Sequence, residues 1–260
     1  MRFFLCTGPE NFEMAARLGF DYVECAVTAV EAMSDEDFAA FRVKVDRSPI
    51  KVERFNVLFP GNMRLIGPEA DHGKIEAYLE RVFLRVIALG GTKVVFGSGR
   101  SRAFPIEMAY RDAFRELIEV TRLVGDIAGK FGITIVIEPL NKEETNCINS
   151  VREGAMLEAC VDHHSVELLA DLFHMLKDKE PMENILLVKN IGHTHIALLE
   201  GRAFPTAPDK DVEAFFKALK KIEYTGTMSI EGKPDDLEAD AAAALSALHS
   251  TNSILWPLDK

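Results

Sequence analysis

The sequence predicts an α/β protein, a (β/α)8 barrel with residues 1–260 forming one domain. Three observations predict it. Eight short apolar runs alternate with longer stretches of helical periodicity. Glycine stands just ahead of several of the runs, where a helix ends and a strand begins. Glu138, Asp171, His195 and Glu231 fall at the ends of four successive runs, 33, 24 and 36 residues apart. Those intervals are close to the roughly 30-residue strand-plus-helix unit of such a barrel, and the chain is close to its usual size of about 250 residues.

The expected strands are 3–6, 22–25, 52–58, 93–96, 133–138, 166–171, 193–197 and 227–231. Each is rich in Val, Ile, Leu and Phe, as a strand buried on both faces must be. Between them, 75–89, 106–130, 151–160, 212–222 and 237–248 carry apolar residues at a period near 3.6 and read as helices. Gly19, the Gly90-Gly91 pair, Gly132, Gly192 and Gly226 precede strands. Strict alternation argues for a parallel sheet, and eight units favour closure over an open sheet. The first turn, LCTGPE, lacks GxGxxG, so a dinucleotide fold is without its fingerprint. The tail after Leu248 is apolar enough to dock, with Trp256 as its anchor.

A formal net charge of −11 disfavours nucleic acid and anionic membranes as partners. No apolar stretch reaches a membrane span, and the N-terminal apolar run is too short for a signal peptide. Cys6, Cys25, Cys147 and Cys160 form no CxxC pair, and Cys6 and Cys25 read as small buried residues. A chain of this size needs no disulfide scaffold, so the simplest compartment is the cytoplasm.

In a barrel of this type chemistry sits at the C-terminal ends of the strands. A carboxylate directly after an apolar strand is costly unless paired or metal-bound. One such Glu reads as a solvated turn residue. Three strand-end carboxylates, with His195, point instead to one convergent site. Oxygen and imidazole ligands in that ratio suit Mn2+, Mg2+ or Co2+, and Zn2+ is also compatible. No cysteine belongs to the set. His193 and His195 share one strand face, because side chains alternate. His193 is open between a satisfied core histidine and a ligand; His195, nearer the strand end, is the ligand of the two. His174, three residues beyond Asp171, is placed for a substrate hydroxyl. His163 and His164 precede a strand and read as surface residues.

Several motifs carry a resemblance. Glu138-Pro139-Leu140-Asn141 followed by Glu144-Thr145-Asn146 resembles the EPLN…ET element of the xylose-isomerase-like TIM barrels. Asp171-Leu172-Phe173-His174-Met175 is similar to their D-x-[FY]-H-M element. Gly192-His193-Thr194-His195 with Gly201-Arg202 and Pro205 resembles GHxH…GR…P, and residues 226–231 resemble GxxSxE. The ordered set covers residues 132–231. It is most similar to the sugar isomerase/epimerase branch, which includes tagatose and psicose 3-epimerases and hydroxypyruvate isomerases. The resemblance implies that Glu138, Asp171, His195 and Glu231 are metal ligands and that Glu138 and Glu231 double as an acid/base pair. It implies that His174, Arg202 and Glu144 contact a small sugar or hydroxy-carbonyl substrate. It also implies a homodimer or homotetramer. One residue more separates His195 from Arg202 than in the tagatose-type enzymes, and the intervening IALLEG is apolar where they are polar. The Gly97-Ser98-Gly99 segment with Arg102 and Pro105 resembles a loop of some relatives. It reads either as a flexible turn or as a lid that brings Arg100 or Arg102 over an anionic substrate group.

The implied chemistry is proton transfer through a metal-stabilised enediolate. One carboxylate removes a proton beside a carbonyl, and the other returns it to the opposite face or to the neighbouring carbon. A dehydratase of the same superfamily needs the same first step and stays open. An apurinic endonuclease needs further histidines on the second to fourth strands, and the third and fourth end RFNVLFP and VVFGSG with no His at either. A non-catalytic sugar-binding barrel would not need both glutamates.

Overall fold

A computed structural model describes residues 1–188 and 190–256. Its eight strands are β1 Arg2–Cys6, β2 Tyr22–Ala26, β3 Val52–Asn56, β4 Lys93–Phe96, β5 Thr134–Ile137, β6 Val166–Asp171, β7 Ile191–Ile196 and β8 Thr227–Ile230. Neighbouring strands pair in parallel, and β8 closes on β1. The expected closed barrel is therefore the observed one, with every strand within a few residues of its expected bounds.

The major helices lie where the 3.6-residue period placed them. They are α4 His72–Ala88, α6 Tyr110–Lys130, α7 Val151–Val161, α9 Lys210–Lys221 and α10 Leu237–Leu255. Each lays an apolar stripe on the barrel; α4 buries Ile75, Leu79, Val82, Phe83 and Val86. The last helix runs on to Leu255, beyond the expected end at 248. The ring of Trp256 lies 6.2 Å from that of Phe216 on α9, so the tail docks as its composition suggested. Five helices were not foreseen: α1 Phe12–Leu18, α2 Val27–Glu31, α3 Asp35–Arg47, α5 Gly99–Arg102 and α8 Leu172–Lys177. Gly19 closes α1 at φ 89°, a left-handed cap that suits glycine.

Two apolar regions form. The large one fills the space between sheet and helices, and Val95, Val136 and Leu169 form a separate small cluster. That separation follows from strand alternation, which sends these three residues to the barrel interior. The same alternation sends Gly97, Glu138, Asp171 and His195 inward one layer higher, and His193 inward in register with Leu169. The barrel interior is thus apolar under β4 to β6 and polar beside β7, β8 and β2. Among the described residues no helix is long and apolar enough to cross a membrane.

Candidate active site

Glu138, Asp171, His195 and Glu231 each offer one ligand atom, and these atoms all lie within 4.8 Å of one another. They arrive from four consecutive strand ends, as the spacing required. His195 stands at the centre. Its Nδ1 is 3.1 Å from Glu138 Oε1, 3.4 Å from Glu231 Oε2 and 3.9 Å from Asp171 Oδ2. His195 is fully buried, and Glu138 and Asp171 nearly so.

Asp171 has two tasks. Its Oδ1 caps α8 by accepting from the backbone N–H of Phe173 at 2.7 Å and of His174 at 3.4 Å. Its Oδ2 is buried and has no hydrogen-bond partner among the described residues. A buried carboxylate oxygen without a donor is costly, and it faces the other three ligand atoms. A divalent cation fits that orphaned oxygen and the three-carboxylate, one-imidazole donor set.

The two glutamates sit in unequal surroundings. Glu231 Oε1 accepts from Asn56 Nδ2 at 2.9 Å, and its Oε2 pairs with the Arg202 guanidinium. Burial pushes its carboxyl up, but His195 and Arg202 outweigh that and bring it down to about 2. Among the described residues Glu138 has a side-chain donor only in His195, and its burial dominates and raises its carboxyl. Burial also opposes charge on His195, yet the surrounding Glu24, Glu231 and Glu138 hold it well above the usual imidazole range. The cluster thus draws positive charge to its centre.

Glycines make the room. A Cβ built on Gly97 would overlap Glu138 Oε2, and one on Gly232 would overlap the backbone oxygen of Arg202. The loop bearing Arg202 turns sharply, with Gly201 at φ 64° and Arg202 at φ 54°. That turn lays the guanidinium over the Phe173 ring, 4.6 Å from its centroid, and 3.8 Å from Glu144. Nδ1 of His174 accepts from the Asn141 backbone N–H at 3.2 Å, and its Nε2 lies 3.6 Å from Asp171 Oδ2. Asn141 Nδ2 donates to Glu144 Oε1 at 2.9 Å. His174, Arg202 and Glu144 therefore gather at the mouth of the cluster.

Arg102 does not. The expectation that it meets a substrate anion is corrected, because its side chain is fully buried beneath the site. It donates to the Phe96 carbonyl at 3.0 Å and to the Glu138 carbonyl at 2.6 Å. The 97–105 segment is accordingly stitched down: Phe104 N–H donates to Asn146 Oδ1 at 2.8 Å, and Asn146 Nδ2 donates back to the Phe104 carbonyl at 2.9 Å. His163 is also less exposed than expected, ringed by Asp126 and stacked on His164.

Three residues escaped the sequence reading. Glu24, in mid-β2, is fully buried and bonds His195, His193 and Ser229. Burial pushes its carboxyl up, but His195 and His193 outweigh that and keep it well below the ordinary range. The signal was available, since an acidic residue inside YVECA breaks an apolar strand as Glu138 ends one. Asn56 closes β3 and looked like an ordinary turn residue. Cys6 lies beside the site, its Sγ within 4.8 Å of ligand-type atoms of Glu24 and His195. His193 resolves as a core histidine, bonded by Glu24 and Thr227 and outside the four-ligand group.

The fold and site thus define a (β/α)8 barrel with a cation-type ligand cluster at its C-terminal end. Residues 12–251 match the family described as the xylose isomerase-like TIM barrel, and the chain belongs to that family. It is 24% identical over 230 residues to a D-psicose 3-epimerase of Agrobacterium fabrum, covering 84% of this chain and 77% of that one. It is 28% identical over 240 residues to a 2-oxo-tetronate isomerase of Haemophilus influenzae, covering 86% and 87%. Among solved structures, the IolI protein with a bound zinc atom superposes with a TM-score of 0.80 at 17% identity, covering 99% of this chain and 100% of that one.

Proposed function

We propose that this chain is a divalent-metal-dependent isomerase or epimerase acting on a small sugar, ketose or hydroxy-carbonyl compound. The observation that carries the proposal is the buried Asp171 Oδ2, without a hydrogen-bond donor among the described residues and facing the three other ligand atoms of one cluster. The named activities of the relatives at 24% and 28% identity support the reaction class. Glu138, Asp171, His195 and Glu231 would hold the cation. When bound, it supplies Lewis-acid stabilisation of the negative charge that builds on a carbonyl oxygen as the adjacent proton leaves.

The chain's own residues supply the proton transfer. Glu138 and Glu231 come from strands β5 and β8, on different sides of the barrel mouth, and so can reach opposite faces of a substrate between them. Glu138 removes a proton from the carbon beside the carbonyl; it is the less encumbered acceptor. Glu231, oriented by Asn56 and Arg202, takes up a proton from solvent and delivers it to the other face, inverting the carbon, while the proton held on Glu138 passes to solvent. Return to the neighbouring carbon gives aldose–ketose isomerisation. His174, Arg202 and Glu144 orient substrate oxygens at the mouth, while Phe173 and the buried ligand shell keep water out. Arg102 holds the backbone at Glu138 rather than touching substrate.

The test is hydrogen exchange. Mn2+-loaded protein in D2O is given ketoses, hydroxypyruvate and inososes in turn, and the product is analysed by mass and NMR. The proposal expects deuterium in a product isomeric with its substrate, and loss of exchange in Glu138→Gln and Glu231→Gln. Release of water would place the chain among dehydratases. Full activity in both variants would remove the acid/base assignment.

A further inference from the structure

Glu24 belongs to none of the four ligand positions, yet it is fully buried in the barrel interior. A carboxylate at that depth costs several kcal/mol unless well paired. Apolar side chains fill the opposite half of the same interior, at Val95, Val136 and Leu169. Stability alone gives no reason for an acid here.

Its contacts give one. Glu24 Oε1 lies 3.0 Å from His195 Nε2. Glu24 Oε2 lies 2.9 Å from His193 Nε2 and also accepts from the Ser229 hydroxyl. His193 Nδ1 is 2.7 Å from the Thr227 hydroxyl, which completes the chain of bonds. The sheet fixes this level: Cys6 pairs with Glu24 across β1 and β2, and His195 pairs with Ser229 across β7 and β8. A carboxylate only accepts, so the proton between Glu24 and His195 is on the imidazole Nε2. Without a cation Nδ1 also carries a proton, shared with Glu138; a cation that displaces it meets the Nδ1 lone pair of a neutral His195 whose remaining proton stays on Nε2. Nδ1 is the atom that faces Glu138, Glu231 and Asp171. A cation ligand must be that lone pair, and a carboxylate behind the ring both orients it and makes it more basic.

We propose that Glu24 is a positioning residue, braced by His193 and Ser229, that commits His195 to the tautomer and ring orientation in which Nδ1 ligates a divalent cation. This rests on the reading of Glu138, Asp171, His195 and Glu231 as a cation site. Its role is exerted wholly through His195.

Mn2+ titration by calorimetry, with circular dichroism and thermal melts of the metal-free proteins, tests it on wild type, Glu24→Gln and Ser229→Ala. The expected result is a folded Glu24→Gln protein whose Mn2+ affinity falls 10- to 100-fold, the range typical for loss of an outer-shell partner. Ser229→Ala weakens affinity less. In the Zn2+-loaded wild type the His195 Nε2–H proton and 15N shifts show a strong charge-assisted bond to Glu24, and Glu24→Gln moves them toward the values of a neutral hydrogen bond, which a merely structural role would not affect. Wild-type Mn2+ affinity and an unchanged His195 signature in Glu24→Gln overturn the role of Glu24 and leave the cation site standing. A wild-type protein that binds no Mn2+, Co2+ or Zn2+ overturns the site itself, and this role with it. If Glu24→Gln does not fold, Ser229→Ala decides: reduced affinity supports the proposal, and unchanged affinity overturns it.

Discussion

Replacing Gly97 by alanine perturbs the site without removing any of its ligands. An alanine Cβ there would stand closer to Glu138 Oε2 than the 3.0 Å that real Cβ atoms keep. The atoms behind it are at ordinary contact, Glu138 Cδ at 3.4 Å and Leu140 Cδ2 at 3.6 Å. The clash is thus with the end of one side chain and not with backbone. The carboxylate must swing by roughly 1 Å, and a misplacement of about 1 Å at a reacting group costs on the order of 10²-fold in rate. Folding should hardly change, because the side chain can give way and glycine-to-alanine exchange restricts the unfolded chain by about 0.4–1 kcal/mol. The assay pairs hydrogen exchange and Mn2+ affinity with a thermal melt. The expected outcome is a near-native melt, weakened Mn2+ binding and an exchange rate down by about 10²-fold. Wild-type rate and affinity would refute the placement of Glu138 against Gly97.

Two other substitutions separate the site from the scaffold. Asp171→Asn retains the Oδ1 cap on α8 and, by removing a donorless buried carboxylate oxygen, should leave the metal-free melt no lower than that of the wild type. It should abolish the roughly 2.7 kcal/mol of stabilisation that Mn2+ at 100 times its Kd gives the wild type, read from paired melts with and without metal. Arg102→Met removes the guanidinium donors from the Phe96 and Glu138 carbonyls, leaving Phe96 only the Glu138 N–H at 3.2 Å, and should cost about 1–3 kcal/mol. It is read as a lower denaturant midpoint at constant slope; equal stability would contradict the anchoring role.

What the sequence reveals depends on how many residues carry each signal. The strands were legible because each is an apolar run stopped by glycine or a polar residue, and α4 and α6 because long stripes repeat. Helix α3 was not, since it buries only Phe41 and Val45 and shows no stripe. Its start was still marked: Ser34 accepts from the Asp37 N–H ahead of three acidic residues. Helix α8 was hidden because it starts directly from β6, with Asp171 serving as both strand end and cap. The four clustered residues were legible through the barrel's period. Arg102 was misplaced because an arginine near a glycine-rich turn reads as a solvent-facing cation, and nothing in the sequence reveals two backbone carbonyls waiting beneath. Asn56 was missed because contacts across the barrel mouth leave no local pattern; the acid of Glu24 inside YVECA was a local signal, but its partners on β7 and β8 lie far off in the sequence.

Crystals soaked in Mn2+ and measured at the manganese absorption edge test the account's central claim most directly. It predicts one anomalous peak per chain, bonded to Glu138, Asp171, His195 Nδ1 and Glu231. A peak elsewhere, or a cluster of three metals in each chain, would contradict it.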